Sequence, residues 1–193
     1  MMKIFLIIPL LLSWNFTQAQ HDIEWDGKYK LQLSDFRSPA TLIGSSNIYS
    51  LHTMTSFDFG FHMSNAEFMF TKNFNSKVNC TFKPEASSLV APDSVIALDL
   101  LNFARFEFDL AELYARKFRK KIYEEKGAFS DVNFFRPIHD EIQNEYIQRH
   151  TMAARQTDMG RNSYTLQQLH KDVLDEIEVL NDFCKTCKPP KKK

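Results

Sequence analysis

The chain has 193 residues, with 24 Lys and Arg balancing 24 Asp and Glu, and 44% of it is hydrophobic. That length can bury the core of one domain, and so much apolar side chain beside only five glycines excludes a disordered chain. The balanced charge removes any global attraction to nucleic acid, and 18 phenylalanines point to a core of aromatic blocks.

Met1-Met2-Lys3 is a short basic start, and Ile4 to Leu12 is an apolar run too short to span a bilayer comfortably. Thr17-Gln18-Ala19 then places small residues where a signal peptidase cuts. Residues 1–19 therefore read as a signal peptide, with the mature chain starting at Gln20. No cysteine follows the apolar run to carry a lipid anchor, and no second long apolar run exists. The expectation is an exported protein, periplasmic or extracellular, with no transmembrane span after cleavage.

From about residue 23 to 90 the pattern is strand-like. Tyr29 to Leu33, Thr55 to Phe59 and Glu67 to Thr71 alternate apolar and polar residues, and Lys77 to Phe82 forms a further run. Asn, Ser, Gly and Pro clusters separate them, which predicts a small antiparallel sheet with one face buried by phenylalanine. After Pro92 the period lengthens. Asp93 or Ser94 can cap a helix to about Glu125, stopped by Gly127. Pro137 suits the first turn of a second helix, about 137–155, with Ile138, Ile142 and Tyr146 on one stripe. Ser163 can cap a third, amphipathic helix, where Leu166, Leu169, Val173, Leu174, Ile177 and Leu180 recur. Strands followed by helices imply an α+β fold, one domain over 20–183 with three helices packed on the sheet, and a Cys/Lys-rich tail over 184–193.

Cys184 and Cys187 form a C-x-x-C at the end of the last helix, not at the start of one, so a thioredoxin-type site lacks its context. Export favours a disulfide, either from one of the pair to Cys80 or between Cys184 and Cys187. His139 and His150 are eleven residues apart, about 16 Å along a helix, too far to share a metal. No nucleophile-elbow, dinucleotide or Walker A string occurs.

The helix after Pro92 reads Leu100-Leu101-Asn102-Phe103-Ala104-Arg105-Phe106-Glu107-Phe108-Asp109-Leu110-Ala111-Glu112, then Tyr114-Ala115-Arg116-Lys117-Phe118-Arg119. It resembles the hallmark helix of the domain-of-unknown-function 922 family, exported bacterial proteins regarded as zinc-dependent proteases. That helix reads approximately L-L-R-H-E-Q-x-H-F-D-I-A-E. Leu33-Ser34-Asp35-Phe36 is similar to the family's aromatic-x-Asp-Phe segment without its aromatic. The likeness spans about 23–180, but only the helix is specific. It implies a zincin-like active-site helix in which two histidines four apart bind zinc and the glutamate beside the first is the general base.

At those positions stand Phe103, Ala104 and Glu107. Phenylalanine cannot ligate, alanine cannot take a proton, and one carboxylate does not make a zinc site. A further ligand position in the family corresponds to Met159 in Thr157-Asp158-Met159-Gly160, and a thioether suits hydrolytic zinc poorly. The zinc expected of the family thus lacks its ligands, so no metal or other cofactor is expected. The resemblance implies a degenerate scaffold that binds an unidentified peptide or protein partner in the cell envelope. Phe103, Phe106, Glu107 and Tyr114 are the candidate lining of the old cleft. The alternative is an active envelope peptidase or hydrolase with a relocated metal or a site built on Glu107. Glu107 needs a cation or hydroxyl from a neighbouring element, while Glu112 with Arg116, and Arg105 with Asp109, are spaced to pair along the helix.

Overall fold

A computed structural model describes residues 22–60, 63–127, 130–131 and 133–191; the expected signal peptide over 1–19 lies outside them. In chain order these residues form β1 (Ile23–Glu24), β2 (Leu42–Ile43), β3 (Ser50–His52), β4 (Thr55–Phe59), α1 (Asn65–Phe70), β5 (Val78–Phe82) and β6 (Ser88–Ala91). Three long helices follow: α2 (Ser94–Glu125), α3 (Phe135–Thr157) and α4 (Ser163–Val179). The class is α+β, strands first and long helices after.

The strands make two three-stranded sheets, not one. The first, ordered β1-β5-β4, is antiparallel and sets Ile23 opposite Phe82 and Phe57 opposite Cys80. Val78, Cys80 and Phe82 alternate inward along β5, the half-buried pattern that a period of two produces. The second, ordered β2-β6-β3, is mixed: β2 runs parallel to β6 and β3 antiparallel.

Two expected strands are absent for local reasons. Over Tyr29 to Leu33 the chain makes a polar turn instead. The backbone amides of Lys28 and Tyr29 donate to Asp26, while the Tyr29 hydroxyl and Gln32 amide donate to the buried Asp35 carboxylate. Over Glu67 to Thr71 the chain is the helix α1, because Ser64 caps it by accepting from the Glu67 amide at 3.2 Å. Only Phe68 turns inward there; Phe70 is 82% exposed, so the Phe68–Phe70 alternation is not a buried face.

The helix α2 is the centre of the molecule. It packs on β4, β5 and β6 and on α3 and α4, which is why it is apolar nearly all round. Asp93 caps it by accepting from the Ile96 amide at 2.9 Å, and it ends at Glu125 before Gly127. The first residue of α4 is Ser163, but its cap is Asn162, whose side chain accepts from the Thr165 amide. On α3, Ile138, Ile142 and Tyr146 are buried on the expected stripe.

Glu112 of α2 is buried between two arginines. Its carboxylate accepts from Arg116 Nε at 2.9 Å and Arg119 Nη1 at 2.8 Å. Other guanidinium N–H groups tie down further elements: Arg116 reaches the Ile177 carbonyl, and Arg119 reaches those of Val78 and Phe183. This network joins the first sheet, α4 and the segment after it to one helix.

Cys184 and Cys187 are bonded to each other, and Cys80 is a free thiol. A Cys80 bridge is precluded by placement. Cys80 faces inward from β5 beneath α2, where burial pushes its thiol well above the usual range. The closed C-x-x-C turn is held instead by Asn73 and Asn75, whose side-chain amides both donate to the Cys187 carbonyl at 3.1 Å. No helix among the described residues is long and apolar enough to cross a membrane.

Candidate functional site

The middle of α2 lies under β3, β4 and α3, and the positions matched to the zinc helix are closed off. Phe103 and Ala104 are buried in the core, and the Phe103 ring sits 5.6 Å from that of Phe106 and 5.7 Å from that of His150. Glu107 accepts a short hydrogen bond from Thr53 Oγ1, and His150 Nε2 of α3 faces the same carboxylate oxygen at 3.5 Å. The donor set does not fit zinc: two of the positions have no ligand atom, and the third is occupied by a hydroxyl. Among the described residues no group of three His, Cys, Asp or Glu side chains is arranged to hold a metal ion.

Met159 belongs to a tight left-handed turn that ends α3. Asp158, Met159 and Gly160 have φ of 49°, 50° and 99°. Thr157 holds the turn, its hydroxyl donating to the Ala153 carbonyl and accepting from the Gly160 amide. The turn abuts α2 so closely that a Cβ on Gly160 would stand 2.3 Å from the Asp99 carbonyl oxygen and 3.2 Å from Phe103 Cβ. Positions 103 and 160, far apart in sequence, are therefore spatial neighbours.

The His150 imidazole is partly exposed, while the Glu107 carboxylate that it faces is nearly enclosed. The hydrogen bond to Glu107 raises the His150 pKa above its ordinary 6.5, against the opposing effect of burial. Raised pKa means that protonation favours the folded state. The added stability is complete below 6.5 and disappears as pH rises through the higher folded value. We expect the urea midpoint of the wild type to fall with rising pH across this window more than that of His150→Gln. Parallel midpoint profiles would show that the pair is not coupled to folding.

A second polar cluster lies two residues further along α2, on another side of the helix. The Asp109 carboxylate accepts from Trp25 Nε1 at 2.7 Å and meets His170 Nε2 of α4 at 2.6 Å. The expected Arg105–Asp109 pair does not form, because Asp109 is taken. Arg105 donates instead to the Leu31 carbonyl at 2.8 Å and to Asn102 at 3.0 Å. Arg105, Asp109 and His170 line one cavity of about 290 Å³, with Leu31, Phe108 and Leu166 as apolar wall.

Three of the candidate cleft residues, Phe103, Phe106 and Tyr114, are no more than 4% exposed and pack into the core. They line no open groove, since α3 and α4 cover the helix face that carries them. Glu107 is buried too, but keeps contact with the half-exposed His150. Sequence reasoning missed the cluster of Trp25, Asp109 and His170. Its members are 61 and 84 residues apart, and only the crossing of α2 by α4 and by the first strand region joins them. Comparison of the chain with protein-family models, with curated proteins and with solved structures returned no match.

Proposed function

We propose that this is an exported, non-catalytic protein on a zinc-protease-like scaffold, acting by binding a peptide or protein partner in the cell envelope. The observation that carries the reading is the filling of the three helix positions: Phe103 and Ala104 are core side chains, and Glu107 is held by Thr53. The closeness of the Met159–Gly160 turn to Phe103 supports treating position 159 as part of the same lost site. The Cys184–Cys187 disulfide fits an oxidising compartment. Since Phe106 and Tyr114 are enclosed, the cavity beside Arg105 is the better place for a partner to make contact.

The test is metal analysis of the purified protein together with an assay on peptide substrates. We expect substoichiometric zinc and no chelator-sensitive cleavage; one zinc per chain or such cleavage would overturn the reading. One observation favours the alternative of a hydrolase built on Glu107: its carboxylate faces the partly exposed imidazole of His150. That alternative requires an activity on peptide or cell-wall substrates that Glu107→Gln abolishes while leaving the thermal midpoint in place. Absence of any activity in the wild type removes it.

A further inference from the structure

The cavity between the Tyr29–Leu31 turn, α2 and the start of α4 contains an arginine without an acid. Arg105 is half-buried, and its natural partner four residues on, Asp109, is engaged instead by the Trp25 indole N–H and by His170. Arg105 spends Nε on the Leu31 carbonyl and Nη1 on the Asn102 side-chain oxygen, both uncharged. Among the described residues, nothing accepts from its Nη2 and no carboxylate pairs with it. An ionised carboxylate can only accept, so His170 presents its Nε2–H to Asp109 and holds that acid away from Arg105.

We infer that this cavity binds a carboxylate attached to an apolar group, as at the C-terminal residue of a peptide. The flat guanidinium edge matches a carboxylate, and the nearby Asp109 charge disfavours a dianion such as phosphate. Leu31, Phe108 and Leu166 supply an apolar wall for the carbon chain next to the acid. A volume of about 290 Å³ lies at the small end of ligand pockets, enough for a terminal residue and not for a folded loop. Lys30 at the cavity wall adds a second positive charge without an ion-pair partner among the described residues.

The proposal rests on the binding reading above, whose own failure would appear as zinc or cleavage of the same peptide, not as lost affinity. Calorimetric titration of the purified protein uses three probes: the tetrapeptide Ala-Ala-Ala-Leu as free acid, its C-terminal amide, and 4-methylpentanoate. The free acid is expected to bind at least tenfold more tightly than the amide, and Arg105→Gln to weaken it by tenfold or more. Tighter binding of the peptide than of 4-methylpentanoate assigns the site to a chain terminus. Equal binding assigns it to a small free acid, and either result supports carboxylate recognition. No binding of either acid at millimolar concentration, equal affinity for acid and amide, or unchanged affinity in a folded Arg105→Gln protein would overturn it. The acid-to-amide contrast needs no variant, so it stands even if Arg105→Gln does not fold.

Discussion

Replacing Glu112 with alanine is expected to cost about 3–5 kcal/mol of folding stability, because it strands two buried guanidinium groups. Arg116 and Arg119 are 5% and 1% exposed, and among the described residues Glu112 is the one carboxylate that either pairs with. Their other hydrogen bonds among the described residues go to main-chain carbonyls, which supply no countercharge. Arg119 has no slack to relax, since its Nε is already buried without a hydrogen-bond partner. Urea unfolding followed by far-UV dichroism measures the loss; a change below about 1 kcal/mol would show that water reaches the site on mutation. The double replacement Glu112→Ala with Arg119→Met should be less damaging than the two single changes added together, since it removes a stranded charge along with its partner. The damage should also spread to the cavity. The Trp25 ring stacks 5.4 Å from the Arg116 guanidinium while its N–H holds Asp109, so a loosened Arg116 loosens the support of the His170 contact.

Substitution of Gly160 by alanine is expected to cost roughly 2–5 kcal/mol, from two effects that can be separated. A left-handed backbone costs an alanine about 1–2 kcal/mol, and forcing an atom into a packed contact costs about 1–3 kcal/mol more. At Gly160 both apply, for φ is 99° and the added Cβ would meet the Asp99 carbonyl oxygen at 2.3 Å. That oxygen belongs to the backbone of α2 and cannot swing away as a side chain would. Gly44 is the internal control, with φ of 87° and nothing within 4 Å of the added atom. Gly44→Ala should show the backbone cost alone, so the difference between the two variants measures the contact between the Met159–Gly160 turn and α2. Equal losses would mean that the turn can lift off the helix freely.

Much of the long-helix half of the fold is legible in the sequence because its signals are local. The Asp93 side chain caps α2 within its own first turn, Pro137 sits in the first turn of α3, and the buried stripe of Ile138, Ile142 and Tyr146 follows the helical period. Two of the strand expectations, β4 and β5, stand for the same reason: a period of two is visible where one face is buried and the other is not. The failures at Tyr29 to Leu33 and at Glu67 to Thr71 come from side chains competing for the backbone. Asp26 and Asp35 bind amides in the first segment, and Ser64 caps the second. Alternation of aromatic and polar residues is silent about that competition.

The sites divide along the same line. Sequence alone establishes that Phe103 and Ala104 cannot ligate or take a proton, because this is a property of the side chains themselves, and that Glu112 and Arg116 lie on one helix face. It also determines that Glu107 needs a partner, since an acid among phenylalanines is costly wherever the helix goes. Tertiary structure alone decides which partner. Thr53 and His150 reach Glu107 from β3–β4 and α3, and Asp109 turns away from Arg105 because Trp25 and His170 arrive from elsewhere. The same holds for Cys80, which sits in a sheet interior that the C-terminal turn does not enter. A helix pattern specifies which residues share a face, but which helix or strand covers that face depends on chain crossings that no short window of sequence contains.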